Sequence, residues 1–434
     1  MTQSNNNKMG VAIAGLGTVG VGVIKILEEH KALLADRSGT ALEIVAVSAR
    51  ERGKDRGVDL AKYTWCDNAV DMASLDTVGV VIELIGGSDG PAYTLAKETL
   101  KQGKHFITAN KALIATHGFE LAELAEASGG ILRFEAAVAG GIPIVKALSE
   151  GLAANRVSGL YGILNGTCNY ILTRMEREGL DFDVILKDAQ DLGYAEADPT
   201  FDIDGIDTAH KTVILAALAF GCKPDLENIS VDGIRHISSI DIEYARELGY
   251  RIKLLGVARQ TEKGIEQRVH PCMVAKNSAI ADVHEAINAV VVECDYVGQT
   301  VYEGAGAGEG PTASAVVADV MDVARGSSTP AFCVPAAKLK TSVPVPFSEQ
   351  KGRFYIRLRV EDQPGVIADI TAVLRDQDLS IDSFLQRGEA KSGGVYVVFT
   401  THRALESAMK KSMVKLQQLS SVLEKPAMLR IEHL

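Results

Sequence analysis

Residues 11–30 read VAIAGLGTVGVGVIKILEEH, and this stretch decides the fold of the first part of the chain. A short apolar run leads into the pattern G-x-G-x-x-G, and a helical pattern of apolar residues starts there. Glycines in such a turn permit a tight bend and the close approach of a pyrophosphate, which then lies at a helix N-terminus. The pattern alone is weak, but its position between a strand and a helix favours dinucleotide binding over a plain glycine turn. We therefore predict that the cofactor-binding turn consists of Gly15, Leu16, Gly17, Thr18, Val19 and Gly20.

Further strand-like runs follow this stretch at LEIVAVSA, VGVVIELIGG, KHFITANKA and GILRFEAAV, with helical stretches such as PAYTLAKETLKQG between them. Alternating strands and helices predict an α/β fold with a doubly wound parallel sheet over about the first third of the chain. The second strand ends without an acid to bind a ribose 2′-hydroxyl and offers Arg50 and Arg52 instead. This favours NADP over NAD. The alternative is that both arginines are solvated surface residues.

Composition excludes several classes of protein. The chain has 434 residues, 47% of them hydrophobic and 23% charged, which is typical of a globular protein with two or three domains. A net charge of −11 with no long basic run argues against nucleic acid and anionic membranes as partners. The opening MTQSNNNKMG lacks a hydrophobic signal segment, and the apolar run after Thr212 is too short to span a membrane. These features predict a cytoplasmic protein that acts on a small molecule.

The six cysteines are dispersed and show no C-x-x-C spacing, so neither a zinc site nor a disulfide framework is indicated. We expect most of them, Cys168 included, to be buried thiols.

Two further regions follow the alternating one. The middle region, to about residue 326, has strand-like runs at VSGLYGIL, RIKLLGVARQ and NAVVVECDYVG without clear alternation, which suits a sheet that carries a subunit interface. Four prolines in TPAFCVPAAKLKTSVPVP, residues 329–346, indicate a linker. Beyond it the patterns predict strand, helix, strand, strand, helix and strand, which we interpret as a separate small α+β domain.

The segment DIDGIDTAHK, residues 202–211, places three carboxylates and a lysine directly before the apolar run TVILAALAFG. Asp204, followed by an acid three positions on, resembles an N-cap residue, and acids suit the positive end of a helix dipole. Asp207 and Lys211 share a helix face that continues into apolar residues, so we expect them at a desolvated wall. Buried charge is costly unless it is paired, and clefts are where function tolerates it. Structural pairing and catalysis both remain open from this segment.

Other candidate residues occur where strands or turns end. Lys111 follows the strand HFI, at the sheet edge where α/β proteins bind ligands. Asn165-Gly-Thr167 closes another strand, and Glu196 lies a few residues before the acid-rich segment. Several acids around one lysine suit a substrate that carries an ammonium group.

A second glycine loop, GAGAGEGPTASAVV from residue 304, precedes a helix. Two interpretations remain open: the loop returns to the cofactor, or it is a flexible hinge.

Together these motifs resemble homoserine dehydrogenase. GLGTVG, TANKAL, EAAVAGGIPIV, NGTCNYIL, GYAEADPTFDIDGIDTAHK and GAGAGEGPTASAVV occur in the order typical of that family, over about residues 9–326. RVEDQPGVIADI resembles the ligand-edge turn of ACT domains. No kinase region precedes the first strand, so the resemblance is to the monofunctional kind. The resemblance implies a Rossmann domain at residues 9–145 and an α/β catalytic and dimerisation domain at 146–326, whose last helix (311–326) returns to the Rossmann domain. A linker at 327–352 and an α+β ACT regulatory domain at 353–434 are expected to follow.

The resemblance also implies a reaction, the NAD(P)-dependent interconversion of L-homoserine and L-aspartate 4-semialdehyde, on the route to threonine, isoleucine and methionine. It makes Lys211 the acid/base residue and Asp207 the residue that orients it, while Glu196 binds the substrate amino group. The other implied substrate contacts are Asp202, Tyr194, Thr167 and Lys111, and the other implied cofactor contacts are Arg50, Lys111, Gly193 and Gly308.

The family resemblance implies a sodium site formed by Glu135 and the backbone carbonyls of Val138, Gly140 and Ile142, because oxygen ligands suit a hard cation. It further implies L-threonine as a feedback effector and a homodimer or homotetramer. Two rival functions are a semialdehyde dehydrogenase that works through a Cys168 thioester and a non-catalytic amino-acid sensor.

Overall fold

The computed structural model describes residues 7–389 and 393–433. The opening residues 1–6, at which we expect no signal segment, and residues 390–392 and 434 of the predicted C-terminal domain lie outside the described residues.

The first region is a doubly wound parallel sheet. Its elements are β1 (Asn7–Ala14), α1 (Thr18–Glu29), α2 (Lys31–Ser38), β2 (Thr40–Ser48), β3 (Thr64–Trp65), β4 (Val80–Glu83), α3 (Pro91–Lys101), β5 (His105–Thr108), α4 (Lys111–Ser128) and β6 (Leu132–Arg133). The strand order is β3-β2-β1-β4-β5-β6, and every pairing is parallel. The order reverses at β1, which lies between β2 and β4, and ligands bind in the crevice outside such a switch point.

Two glycines of the first turn are sterically required. Gly15 has a φ of 104°, and a Cβ there would lie 2.4 Å from the carbonyl oxygen of Leu84. A Cβ on Gly20 would lie 2.1 Å from the carbonyl oxygen of Gly15, so the first turn of α1 can approach the strand only without a side chain there. The turn therefore has the shape that the sequence predicts.

The middle region builds a second, mixed sheet. Its elements are α5 (Ile144–Lys146), β7 (Val157–Ile163), α6 (Gly166–Glu178), α7 (Phe182–Asp191), α8 (Thr200–Ile203), α9 (Ile206–Phe220), β8 (Ser230–Val231), α10 (Ser239–Glu247), β9 (Tyr250–Thr261), β10 (Gly264–Ala275), β11 (Ile287–Cys294), β12 (Gln299–Ala305) and α11 (Glu309–Ala324).

Helix α11 packs against α1 of the first region rather than on the second sheet. Its Ala313, Val316 and Val320 belong to the same buried cluster as Val11 and Val23. The approach is close because α1 has a glycine at position 22, where a Cβ would meet the Cβ of Ala313 at 3.0 Å. A helix from residues far along the chain thus covers one face of the nucleotide-binding sheet.

The C-terminal region contains the predicted order of elements, with one short additional strand. Its elements are β13 (Lys351–Val360), α12 (Val366–Arg375), β14 (Ile381–Glu389), β15 (Val395–Thr401), β16 (Ala404–Leu405), α13 (Glu406–Gln417) and β17 (Ala427–Glu432).

This region has its own buried core, which includes Phe354, Ile370 and Leu416, so it is the small domain that the sequence predicts, but its sheet continues into the middle region. β17 pairs in parallel with β10 and antiparallel with β13, so one sheet of eleven strands runs through both regions. Nine strands follow the order β12-β11-β7-β9-β10-β17-β13-β15-β14, and the other two, β8 and β16, pair with β10 and β13. The junction is also polar, because the buried Glu432 of β17 lies 2.7 Å from Arg268 and 2.9 Å from Arg259. Burial opposes ionisation of Glu432, but Arg268 and its neighbours hold the pKa of this carboxyl well below its usual range.

The proline-containing segment, predicted as a linker, is tied to the body of the protein. Phe332 is completely buried, and its ring lies 5.2 Å from that of Phe134. Farther along, Ile265 N donates to the carbonyl of Val343 at 2.8 Å. Within residues 7–389 and 393–433, no helix is long and apolar enough to cross a membrane.

Candidate active site

A buried group of charges lies where β7 ends and α9 begins. Lys211 Nζ donates to Asp207 Oδ2 at 2.9 Å and to the carbonyl of Leu164 at 2.6 Å. Lys111 Nζ lies 2.8 Å from the other carboxylate oxygen, Asp207 Oδ1. Asp207 and Lys211 are both buried, as the helix-face pattern predicts. Burial opposes ionisation of Asp207, but Lys211 and Lys111 together hold its pKa well below the usual range.

The two lysines reach this carboxylate from different elements. Lys211 is on the second turn of α9, which packs against β9. Lys111 is the first residue of α4, directly after β5, and Asn110 caps that helix by accepting from Leu113 N at 3.1 Å. Asp207 therefore joins the sheet edge of the nucleotide-binding region to the middle region.

A second set of polar contacts surrounds Asp202. Its carboxylate accepts from Asn165 Nδ2 at 2.8 Å and from Thr167 Oγ1 at 3.3 Å. Thr167 also donates to the carbonyl of Tyr194 at 3.0 Å. The turn between β7 and α6 thus contacts both acid-bearing helices, α8 and α9.

Aromatic residues lie at the edge of this group. The ring of Phe201 lies 5.5 Å from Lys111 Nζ and meets the His210 ring edge-on, also at 5.5 Å. Burial lowers the pKa of His210, and the nearby Lys111 ammonium adds to that effect. Both effects favour the neutral imidazole.

The prediction that Asp204 caps α9 is wrong. Gly205 takes the capping position in a left-handed conformation, with a φ of 84°, and the helix begins at Ile206. Because Asp204 follows the short helix α8 and precedes this glycine, its carboxylate turns toward the surface and pairs with Arg235.

The structure brings together Lys211, Asp207, Lys111, Asp202 and Thr167 among the predicted substrate and catalytic residues.

The predicted residues of the segment after α7 do not join this group through their side chains. Glu196 is exposed, and its side chain makes no hydrogen bond or ion pair with any of the described residues. The ring of Tyr194 stacks on Tyr170 at 4.3 Å, so only its backbone carbonyl joins the network. Gly193 is an exposed turn residue with a φ of 77°.

Sequence reasoning named Asn165 at the end of a strand but gave its side chain no role, and the structure places this amide at the centre. Its signal was available, because an Asn-Gly pair between a strand and a helical pattern is typical of an N-cap. Sequence cannot show, however, that the other end of this amide faces two carboxylates.

Cys168 does not have the surroundings of a nucleophile. The thiol is completely buried, and burial raises its pKa well above the ordinary value. Its Sγ donates to the carbonyl of Asp202 at 3.2 Å. A reactive cysteine needs the opposite conditions, access and a lowered pKa, which argues against the thioester alternative.

An open cleft of about 580 Å³ lies at the glycine turn. The residues that line it include Gly15, Leu16, Gly17, Ser48, Arg50, Lys54, Arg56 and Leu84. Arg50 thus faces the cleft, whereas Arg52 lies 5.7 Å above the ring of Trp65. Thr18, Val19 and Gly20 form the first turn of α1 beside it. Two predicted cofactor contacts, Gly193 and Gly308, are not among the described residues that line the cleft. Gly308 instead precedes α11.

The predicted sodium ligands lie on a tight loop after β6. The buried Glu135 carboxylate accepts from Val145 N at 3.0 Å and Lys146 N at 2.8 Å. Burial raises the pKa of Glu135 to about 7. The chain then turns through left-handed conformations at Ala139 and Gly140, and the carbonyl of Ile142 accepts from Ile144 N at 2.8 Å.

A carboxylate with backbone carbonyls is the kind of donor set that a hard cation prefers, but both oxygens of the Glu135 carboxylate already accept from backbone N–H groups. The described residues contain no cluster of three or more His, Cys, Asp or Glu side chains that could hold a metal. A transition-metal centre is therefore not indicated in this part of the chain.

A nucleotide-binding glycine turn lies on a doubly wound sheet, and Lys111 joins the edge of that sheet to a buried lysine–carboxylate pair. These features together define a pyridine-nucleotide-dependent oxidoreductase. Family models agree with this class: one for homoserine dehydrogenase matches residues 143–321, one for the homoserine dehydrogenase NAD-binding domain matches residues 15–135, and one for the ACT domain matches residues 354–413.

Full-length relatives and solved structures point the same way. The homoserine dehydrogenase of Pseudomonas aeruginosa is 43% identical over 98% of this chain and 99% of its own, and that of Bacillus subtilis is 38% identical over 97% and 98%. The crystal structure of a homoserine dehydrogenase from Thiobacillus denitrificans matches with a TM-score of 0.93 and 43% identity over 98% and 99% of the two chains. A Staphylococcus aureus homoserine dehydrogenase matches with a TM-score of 0.79 and 31% identity over 99% of each chain. The chain belongs to the homoserine dehydrogenase family.

Family membership confirms the predicted resemblance, including the ACT domain, and the three-part fold class. It also supports pyridine-nucleotide binding by the first region.

Proposed function

We propose that the protein interconverts L-homoserine and L-aspartate 4-semialdehyde, and that Lys211 moves the proton. The observation that carries this proposal is the buried contact of Lys211 with Asp207, which Lys111 links to the nucleotide-binding sheet edge. A proton-transferring ammonium must be held in place and shielded from water, and both conditions are met here.

The residues have distinct roles in this reaction. In the reducing direction Lys211 Nζ donates a proton to the aldehyde oxygen as it becomes a hydroxyl, and in the oxidising direction it takes that proton back. Asp207 orients Lys211 through Oδ2 and Lys111 through Oδ1. When bound, the nicotinamide supplies or accepts the hydride. Asp202 and Glu196 bind the substrate ammonium, with Thr167 and Tyr194 beside them.

NADP is the preferred coenzyme in this proposal, with NAD as the alternative. Arg50, Lys54 and Arg56 line the cleft next to the glycine turn, and Arg56 Nε donates to the carbonyl of Leu16 at 3.1 Å. Such cations suit a ribose 2′-phosphate. Glu51 also lines the cleft, so the positive charge is partly balanced.

The C-terminal domain senses L-threonine in this proposal and inhibits the enzyme, which serves threonine, isoleucine and methionine synthesis in the cytoplasm. The support is the ACT match and a cleft lined by Glu361, Asp362 and Gln363, within the turn that resembles the ACT ligand edge. A homodimer or homotetramer is expected, because β12 is an outer edge of the long sheet and exposes Val301. A sodium ion at Glu135 completes the proposal.

The test is oxidation of L-homoserine by the purified protein, followed at the nicotinamide absorbance with NADP and with NAD, with and without millimolar L-threonine. Lys211→Ala should abolish turnover and leave coenzyme binding intact. Lys101→Ala, at an exposed lysine of α3, is the matched control and should have no effect. Equal loss of NADPH binding in Lys211→Ala would refute the role given to Lys211. No turnover with either coenzyme, in protein that binds threonine, would favour the sensor alternative.

A further inference from the structure

The amide of Asn165 lies between two carboxylates that come from different helices. Its Nδ2 donates to Asp202 Oδ1 at 2.8 Å and to Asp207 Oδ2 at 2.9 Å. A side-chain amide has two N–H protons, so both are used. Asn165 is itself buried, with 6% of its surface exposed, so water does not replace these bonds.

The orientation of this amide is fixed by its other end. Asn165 Oδ1 accepts from Cys168 N at 2.8 Å and so caps α6. With the oxygen committed to a backbone N–H, the amino group must face the carboxylates. The capping position therefore determines where the two donor bonds point.

The same short turn also holds the lysine. The carbonyl of Leu164, the preceding residue, accepts from Lys211 Nζ at 2.6 Å. Asp207 Oδ2 is shared between Asn165 and Lys211, while Asp207 Oδ1 is left to Lys111. Rotation of the Asp207 carboxylate would break all three contacts at once.

We propose that Asn165 is a positioning residue for the reaction: it fixes the Asp207 carboxylate between the two lysines and holds Asp202 at a set distance from it. The amide separates two like charges that would otherwise repel each other, and it sets the place of the Lys211 ammonium through Asp207. This inference rests on the proposed function, in which Lys211 transfers the proton and Asp202 binds the substrate ammonium.

Three substitutions separate positioning from helix capping. Asn165→Ser retains a good N-cap but has no amino group to reach the carboxylates, Asn165→Asp retains the cap and adds a third negative charge, and Asn165→Ala loses both functions. A purely structural role predicts that all three variants keep their activity per folded molecule and that only alanine lowers the folded fraction. The positioning role predicts that all three reduce the activity per folded molecule, with aspartate the worst.

The expected result for Asn165→Ser is a fall in kcat of about 10- to 100-fold, with NADPH affinity unchanged and a thermal midpoint close to that of the wild type. Asn165→Asp should also raise the KM for homoserine, because the added carboxylate disturbs Asp202.

A split between kcat and the KM for NADPH gives a readout that a structural role would not move. The groups that face Asp207 are Lys111 from α4, Lys211 from its own helix and the Asn165 amide, with His210 and Cys168 nearby. Loss of the amide donor leaves the carboxylate free to turn between the two lysines, so kcat should fall in Asn165→Ser while the KM for NADPH stays at the wild-type value.

A wild-type kcat in Asn165→Ser would overturn the proposal, as would activity that merely follows the folded fraction measured by circular dichroism. Failure of the proposed function looks different, because the wild-type protein would then not oxidise homoserine at all.

Discussion

Gly256 on β9 lets α9 pack closely on the sheet, because it has no side chain. Its replacement by alanine tests how strongly the catalytic geometry depends on this close packing. A Cβ at this position would lie 2.0 Å from Thr212 Oγ1 and 3.3 Å from both Thr208 Cγ2 and Leu164 Cδ1. Thr212 cannot easily move its hydroxyl, because Oγ1 donates to the carbonyl of Thr208 at 2.7 Å. The helix must therefore move away from the sheet by about 1 Å, since packed interiors do not absorb such an overlap.

This displacement acts directly on the proposed proton-transfer group. Asp207 and Lys211 move with the helix, whereas Leu164 and Asn165 stay with the sheet. The contact between Lys211 Nζ and the Leu164 carbonyl, 2.6 Å long, would be lost. We expect Gly256→Ala to lower kcat for homoserine oxidation by about 100-fold. The overlap should also lower the free energy of unfolding by about 1–3 kcal/mol.

The assay is steady-state homoserine oxidation together with a thermal midpoint. The double variant Gly256→Ala/Thr212→Ala removes the overlapping hydroxyl and should recover most of the activity, whereas Thr212→Ala alone should be nearly neutral. Gly151→Ala, at a position where a Cβ meets nothing within 4 Å, is the control. A wild-type kcat in Gly256→Ala, or a double variant no better than the single one, would refute the reasoning.

Four other predictions follow from the described contacts. Asp207→Ala leaves two lysines without their carboxylate and should lower the free energy of unfolding by about 3–5 kcal/mol. Lys211→Met leaves Asp207 paired with Lys111 and should lower it by about 1–3 kcal/mol. Urea unfolding of the two variants measures both values. Arg50→Ser should raise the KM for NADP about tenfold and leave that for NAD unchanged in coenzyme titrations. The ionised Glu432 stabilises the fold, because its pKa is lower in the folded than in the unfolded state. This stability is fully present above the unfolded-state pKa of about 4.3 and is lost as the pH falls toward the folded-state pKa. In thermal scans from pH 7 to 3, the thermal midpoint should therefore fall more steeply in the wild type than in Glu432→Gln. Sodium chloride should raise the thermal midpoint more than choline chloride does, and Glu135→Gln should remove the difference.

The first third of the fold could be predicted because its signals are local. The glycines at positions 15 and 20 are needed by the turn itself, and apolar strands alternating with helical patterns allow few arrangements. The strand order was not predictable from these signals. The return of α11 to the first region was expected only from the family resemblance, and its packing on α1 had no local signal. Both depend on which apolar faces meet, and a glycine such as Gly22 shows its purpose only when the partner helix is known.

The candidate site was predictable in its residues and less so in its contacts. The spacing of Asp207 and Lys211 put them on one face, and the structure pairs them. Asp204 was misplaced because a left-handed glycine and an acid compete for the cap, and tertiary contact with Arg235 decides between them. Glu196 follows a turn whose direction no local pattern fixes. The two bonds from Asn165 to separate helices are tertiary features with no signature in spacing.

The position of β17 has a consequence for the order in which the protein assembles. β10 and β13 are both synthesised before the strand that fills the space between them, so each presents an open edge while the intervening chain emerges. Open edges invite pairing with other chains, and Arg268 of β10 and Arg259 of β9 would lack the Glu432 carboxylate during that time. A chaperone, or rapid folding of the C-terminal region, is therefore expected to matter most during this interval, and aggregation during expression should depend on how soon β17 is available.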